Sequence, residues 1–207
     1  MILAPPKRMI LSAGLMCLAA ISATAQIDAR RKAGDPPRPA SGIVRCFLEP
    51  LFVPTSLQKL VAHSFVIVDT EVAAVQPARL RDASDPASVE TDSILTANSV
   101  LKAGGVKLGA KFVISQTGGQ YGKLQLVAQD VEIVRQEQRY VLFLVPDTRP
   151  NLPTYGGLSR FVVDGIWHGS FAVIDGKIRL NPASLLKAYD NMPISAFLSQ
   201  VAAALAP

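Results

Sequence analysis

The sequence predicts a mainly β protein: a small closed or partly open β-barrel with a short N-terminal helix and two C-terminal helices. Short apolar segments rich in β-branched residues recur at close spacing, and they do not alternate with helical patterns. Helix signals occur only before the first long strand and after the last one. Of the 207 residues, 49% are hydrophobic and 18% are charged, which favours one packed domain and argues against disorder.

Residues 1–25 have the pattern of a secretory signal peptide. Lys7 and Arg8 precede the uncharged apolar run Met9–Ile21, and the small residues Ala23-Thr24-Ala25 follow it. The run is too short to cross the roughly 30 Å of hydrocarbon in a bilayer comfortably. We therefore expect cleavage near Ala25 and export to the periplasm or the extracellular space, with no transmembrane span in the mature chain.

The net charge of +5 is confined to the N-terminal part of the sequence. The signal peptide and the Pro-containing stretch 26–45 hold the excess, whereas residues 46–207 contain 14 basic and 14 acidic side chains. The sequence thus predicts a flexible basic tail, 26–45, followed by one neutral domain, 46–207. Arg30, Arg31 and Lys32 could contact an anionic surface weakly, although a solvated linker is the simpler interpretation.

The two cysteines exclude an intramolecular disulfide in the mature chain. Cys17 leaves with the signal peptide, so Cys46 remains alone. Beside Phe47 it is expected to be a buried, inert thiol, the alternative being a reactive or intermolecular one. A lipid anchor on Cys17 is disfavoured because the bulky Met16 precedes it.

The N-terminal helix is predicted from about Ser56 to His63. Thr55 and Gln58 have the spacing of a capping box, and Leu57, Leu60 and Val61 fall on one helical face. At the end of this helix, His63 is expected to interact with the free backbone carbonyls rather than with a metal.

The predicted strands follow at short intervals. After a strand from Phe65 to Val72 and a loop from Gln76 to Glu90, the remaining candidates are Ser93–Leu101, Lys111–Gln116, Leu124–Ala128 and Tyr140–Val145. A hairpin is predicted from Ser170 to Leu180, because Asp175-Gly176 is a strong two-residue turn signal between apolar runs. Tyr140–Val145 is apolar on both faces, which indicates the most buried strand.

Two C-terminal helices complete the predicted fold. Asn181-Pro182 begins the first of them, and Pro193 begins the second. Ile194, Phe197 and Val201 lie on one apolar stripe of the second helix, so we expect this stripe to pack against the sheet.

The order of these segments resembles exported bacterial domains of unknown function that are similar to the netrin and tissue-inhibitor-of-metalloproteinases type of OB-like β-barrel. The resemblance extends from about Thr55 to Val201, and it depends on five groups of residues: 56–68, 100–104, 113–119, 139–144 and 165–177, followed by the terminal helix. It implies an OB-like barrel and no catalysis. Metalloproteinase inhibitors of that type chelate zinc through an N-terminal cysteine, which this chain lacks, so inhibition by that route is not expected.

One local cluster could carry chemistry. Asp164, His168 and Ser170 place an acid, a base and a hydroxyl close together around Trp167, but no nucleophile-elbow pattern surrounds Ser170. A turn packed by an aromatic ring is the simpler interpretation. With two histidines in the whole sequence, no metal or cofactor site is predicted. A neutral, aromatic-poor domain also makes nucleic-acid binding an improbable function.

These observations favour an exported, non-catalytic binding or interaction module whose protein or surface ligand the sequence does not identify. The alternatives are a hydrolase with a site near His168 and Ser170, and a structural protein of the envelope.

Overall fold

The computed structural model describes residues 41–106 and 108–206. The predicted signal peptide, and the predicted tail up to residue 40, lie outside the described residues. The elements are, in chain order, β1 (Gly42–Cys46), α1 (Leu57–His63), β2 (Val66–Val75), β3 (Arg79–Leu80), β4 (Val89–Lys102), β5 (Lys111–Thr117), β6 (Gly119–Tyr121), β7 (Leu124–Ala128), β8 (Arg139–Pro146), β9 (Arg160–Val163), β10 (Ser170–Ile174), β11 (Lys177–Leu180) and α2 (Ile194–Leu205). Single 3₁₀ turns occur at Pro86–Ser88 and Lys187–Tyr189. Neither described helix has the length and hydropathy needed to cross a membrane.

Five strands form a closed barrel, which confirms the prediction of a mainly β barrel fold. Each is hydrogen-bonded to two neighbours, in the order β2, β4, β5, β9, β8 and back to β2. The pairs are antiparallel except β5 with β9, which is parallel. Alternate side chains, among them Val68 and Leu142, pack together inside the barrel. Phe112 and Phe161 also lie there, and their ring centroids are 5.9 Å apart, edge to face.

The opposite face of the same strands is covered by the two helices. Ile67 and Phe143 point out of the barrel and pack with residues of α1 and α2. Phe197 and Val201 of α2 are fully buried, and the Phe197 ring lies 4.7 Å from that of Phe171. The prediction that the apolar stripe of α2 packs against the sheet is confirmed.

The hairpin of β10 and β11 extends the wall of the barrel. Asp175 and Gly176 form its turn with φ values of 51° and 72°, as the sequence predicts. Strand β10 pairs with the first half of β8, and β9 pairs with the second half along the same edge. The sheet therefore continues past the point where the barrel closes.

A second, three-stranded sheet has the order β1, β7, β6. Residues 42–45, for which the sequence predicts a flexible tail, lie in β1, which runs parallel to β7 with Gly42 opposite Leu124. The pairing partner is distant in the sequence, so no local pattern indicates this strand. Cys46 ends β1 with a buried side chain, as predicted.

Two of the predicted helix signals differ in detail from the structure. At α1 the cap is Ser56 rather than Thr55, since the Ser56 hydroxyl accepts a hydrogen bond from the Lys59 amide at 3.2 Å. After Asn181 there is one 3₁₀ turn and no α-helix. The side chains of Asn181 and Ser184 accept hydrogen bonds from nearby amides at 2.8 and 3.2 Å, which competes with helical hydrogen bonding.

Candidate ligand-binding cavity

A cavity of about 190 Å³ lies on the sheet where the β10–β11 hairpin joins β8. Its floor includes Ser170, Ala172 and Ile174, which alternate along β10 with the residues that face the helices. Ala172 is directly opposite Tyr140 on β8 and Arg179 on β11. Directly opposite residues have Cβ atoms about 5 Å apart, so a methyl group between two long side chains leaves open space. The small side chain of Ala172 thus helps to create the cavity.

Three connecting segments form the walls. They are the irregular segment that contains Val131 and Arg135, the turn Ile166-Trp167, and Asn181-Pro182 at the end of β11. Ile166 has a φ of 60°. This left-handed conformation costs a β-branched residue on the order of 1–3 kcal/mol, and such strain is concentrated at functional sites.

Some polar groups of the cavity lining are not used by the protein itself. Within the described part of the chain, neither the Ser170 hydroxyl nor the Arg179 guanidinium has a hydrogen bond or ion pair. Gln138 donates through Nε2 to two carbonyl oxygens, and its Oε1 has no described partner. In contrast, Arg135 forms an ion pair with Glu132. The Trp167 Nε1 atom also lacks a hydrogen-bond partner, but it is buried.

Tyr140 connects the cavity to the interior of the barrel. Its side chain is largely buried and packs with the barrel core, while its hydroxyl accepts a hydrogen bond from the Arg135 amide at 3.1 Å. Burial raises the pKa of Tyr140, so the phenol stays protonated over a wide pH range. This contact fixes the wall segment around Arg135 against the floor.

The three candidate residues of the Asp164–Ser170 segment do not form one hydrogen-bonded set. Asp164 is buried, and its carboxylate accepts hydrogen bonds from the Ser64 hydroxyl at 2.7 Å and from His63 Nδ1 at 2.9 Å. His168 is also buried, but its Nδ1 has no hydrogen-bond partner. Ser170 lines the cavity. The described residues thus provide no acid, base and hydroxyl relay among these three side chains.

His63 has a different role from the one that the sequence predicts. The free carbonyls of α1 are contacted instead by Lys102, whose Nζ lies 2.7 Å from the carbonyl oxygen of Val61. The His63 ring pairs with Asp164 through Nδ1 and stacks on Phe52, with ring centroids 3.9 Å apart. Its side chain is 47% exposed. A buried carboxylate thus orients a surface imidazole, but no hydroxyl in the described residues is hydrogen-bonded to its other nitrogen.

The burial of His168 predicts a loss of stability in mild acid. Removal from water lowers its pKa, so the folded protein holds a neutral imidazole where the unfolded chain takes up a proton. The neutral, buried imidazole of His168 is therefore tolerated at no cost above the ordinary histidine pKa of about 6.5. Stability is lost as the pH falls below that value, because the unfolded chain then binds a proton that the folded protein does not. We expect the midpoint of urea unfolding to decrease between pH 7.5 and about 5.5.

A His168→Asn variant provides the comparison, since it cannot take up a proton in this range. We expect its unfolding midpoint to change less with pH than that of the wild type. An unchanged dependence in His168→Asn would assign the effect to another group.

A network of ion pairs is built on buried carboxylates of β4 and of the residue that follows β8, and no sequence pattern marks it. Glu90 and Asp92 of β4, together with Asp147, form ion pairs with the guanidinium groups of Arg79, Arg81, Arg149 and Arg160. Burial alone would raise the pKa of Asp92, but hydrogen bonds from Arg160, Ser115 and Tyr155 outweigh it and hold the pKa below its ordinary value. All four guanidinium groups bind carboxylates, which indicates a structural role.

A more open depression of about 430 Å³ adjoins the cavity. Val131, Glu132 and Asn181 line both concave surfaces, and Arg45 and Phe47 line only the second. Within residues 41–106 and 108–206, no group of three or more His, Cys, Asp or Glu side chains is arranged to hold a metal ion. Neither a comparison with known protein-family models nor one with curated proteins finds a match for this chain.

Proposed function

We propose that this chain is an exported, non-catalytic binding module that takes its ligand in the cavity beside β10. The observation behind this proposal is the pair of polar groups in the lining that have no partner in the described residues, the hydroxyl of Ser170 and the guanidinium of Arg179. Polar groups that folding removes from water are normally hydrogen-bonded, because an unpaired one costs about 1–3 kcal/mol. A bound ligand with acceptor atoms would supply the missing partners.

The surroundings of these groups suit binding. Ligand sites are concave and mostly apolar, with a few polar groups that orient the ligand. Here Ile166, Leu180 and Pro182 provide apolar surface in the same lining as Ser170 and Arg179. The volume of about 190 Å³ is smaller than the roughly 300–1,000 Å³ typical of sites for drug-sized molecules, so the ligand is small.

We further propose that the barrel is of the OB type. This proposal is supported by the order of its five strands and by the single parallel pair of β5 with β9, which together give a five-stranded Greek-key barrel. The similarity to netrin and tissue-inhibitor-of-metalloproteinases domains stays a prediction from the sequence. Export rests on the signal-peptide pattern of residues 1–25.

The hydrolase alternative has less support. It needs Asp164 to orient His168, whereas the Asp164 carboxylate is hydrogen-bonded to His63 and Ser64. A structural role in the envelope requires no ligand in the cavity, so a binding experiment separates it from the proposed function.

Filling the cavity tests the proposal. Trp167 is the one tryptophan of the sequence, so its indole N–H gives one signal in a ¹H–¹⁵N NMR spectrum and reports on the cavity wall. We expect members of a library of small organic molecules to shift this signal in a saturable way. An Ala172→Leu substitution should weaken the binding by about tenfold or more, equal to at least about 1.4 kcal/mol, because the added carbons occupy the floor.

Ala203→Leu is the matched control. Ala203 is exposed on α2 and borders a different part of the surface from the cavity. This variant should therefore bind the molecules as the wild type does. If molecules bind the protein but leave the Trp167 signal unchanged, or if Ala172→Leu binds them equally well, the cavity is not the site.

A further inference from the structure

We infer that the ligand of the cavity is a small organic acid whose carboxylate binds Arg179, with Ser170 as an additional donor. This inference rests on the proposed binding function and adds the chemical class of the ligand. It comes from the contrast between Arg179 and the other partly buried arginines of the chain.

Arg179 is placed to contact a ligand by the register of the sheet. It lies on β11 directly opposite Ala172, and Tyr140 is opposite Ala172 on the other side. The residue is partly buried and lines the cavity, yet its guanidinium has no carboxylate partner within the described residues. Desolvation of an unpaired cation is costly, so partly buried charges normally have a partner of opposite charge.

The other partly buried arginines follow that rule. Arg79, Arg149 and Arg160 are each bound by buried carboxylates, and Arg139 forms two hydrogen bonds with Asp69, at 2.6 and 2.8 Å. The chain thus supplies acidic partners wherever a guanidinium is part of the packed structure. Arg179 lacks one at the position where the structure also has a cavity.

The other polar groups of the cavity are compatible with the same kind of ligand. The Ser170 hydroxyl can donate a hydrogen bond. Glu132, the carboxylate in the lining, is neutralised by Arg135, so the charge left in the cavity is that of Arg179. One positive charge with a hydroxyl donor in the same lining matches a carboxylate, which accepts hydrogen bonds through both oxygens.

The apolar lining and the limited volume define the rest of the ligand. Ile166, Leu180 and Pro182 can contact a short apolar body attached to the carboxylate. A single guanidinium binds a multiply charged anion weakly, because such an anion is bound most tightly by several cations together. We therefore expect a monocarboxylate with a small hydrocarbon or aromatic group to bind better than inorganic phosphate.

Matched pairs of probes test this inference on the ¹⁵N-labelled protein. Benzoate and benzamide have the same shape and differ in charge, as do acetate and acetamide, and inorganic phosphate serves as the anion without an apolar body. We expect benzoate to move the Trp167 indole signal and to bind about tenfold more tightly than benzamide, as a charge-assisted hydrogen bond contributes. The Arg179→Gln substitution should lower the affinity for benzoate to that for benzamide.

Arg45→Gln is the control, because Arg45 is an exposed arginine of the adjoining depression without a partner among the described residues. It should leave the preference for benzoate unchanged, and thermal unfolding of both variants should match the wild type. Equal binding of benzoate and benzamide to the wild type would overturn the inference while the proposed function stands. Loss of the preference in Arg45→Gln, tighter binding of phosphate, or no shift of the Trp167 signal by either carboxylate would also overturn it. The proposed function fails separately, when no molecule of the wider library binds in the cavity.

Discussion

An Asp92→Ala substitution is expected to lower the free energy of unfolding by about 3–5 kcal/mol. Asp92 is 1% exposed, and its two carboxylate oxygens accept hydrogen bonds from Ser115, Tyr155 and Arg160 at 2.7 to 2.9 Å. Arg79 contacts the same carboxylate at 3.3 Å. Alanine would leave the guanidinium of Arg160, itself only 10% exposed, without its carboxylate partner in the protein interior. The cost is therefore that of an unpaired buried charge, which is larger than the energy of the ion pair itself.

Urea unfolding at pH 7, followed by circular dichroism, measures this loss. Glu132→Ala is the matched control, because the Glu132 carboxylate is also paired with an arginine but is 65% exposed, so its removal should cost less than about 1 kcal/mol. The lowered pKa of Asp92 adds a second readout. Its contribution to stability is present above the ordinary aspartate pKa of about 3.9 and is lost as the pH falls below that value. Equal losses for the two variants, with the same acid dependence, would contradict a structural role for the network.

Elements with strong local signals are the ones that the sequence predicts well. The turn at Asp175-Gly176 needs two residues that tolerate positive φ, and both predicted strands flank it. The segment Tyr140–Val145 is apolar on both faces because one face fills the barrel and the other contacts the helices. In both cases the residues themselves determine the local structure.

The charge network escapes sequence analysis because its members are far apart in the chain. Pro86 and the acidic residues near it favour a loop up to Glu90, yet strand β4 begins at Val89. Buried carboxylates can occur in that strand because Arg149 and Arg160, which lie much later in the chain, form ion pairs with them. A strand that contains Glu90 and Asp92 therefore becomes predictable only once the barrel is known.

The candidate site is predictable in part for the same reason. The unusual composition of the Asp164–Ser170 segment marks it in the sequence, and Trp167 and Ser170 do line the cavity. The Asp164 carboxylate binds His63, which lies 101 residues earlier, so no local sequence pattern indicates this contact. No sequence pattern marks Arg179, because the observation that distinguishes it is the lack of a carboxylate partner in the folded structure.

Gly169→Ala is expected to lower the free energy of unfolding by about 3 kcal/mol, through crowding of the backbone. A Cβ atom at this position would lie 2.5 Å from the carbonyl oxygen of Asp164 and 2.9 Å from that of Phe143. The Phe143 oxygen cannot move freely. The Phe143 carbonyl accepts a hydrogen bond from the Asp164 amide at 2.8 Å, and the Phe143 amide donates one to the Gly169 carbonyl at 2.9 Å. The turn must therefore separate from β8 to admit one methyl group.

This displacement would also reach the proposed binding site, since Gly169 precedes Ser170 of the cavity floor and follows the turn that carries Trp167. We expect Gly169→Ala to unfold at lower urea concentration and, while still folded, to show a shifted Trp167 indole signal and weaker binding of benzoate. Gly109→Ala is the control, because its Cβ would lie 3.4 Å from the nearest atom, the carbonyl oxygen of Lys111, and should change the stability by less than about 0.5 kcal/mol. A Gly169→Ala variant as stable as this control would mean that the turn is not held against β8, and the cavity wall would then lack the rigidity that selective binding requires.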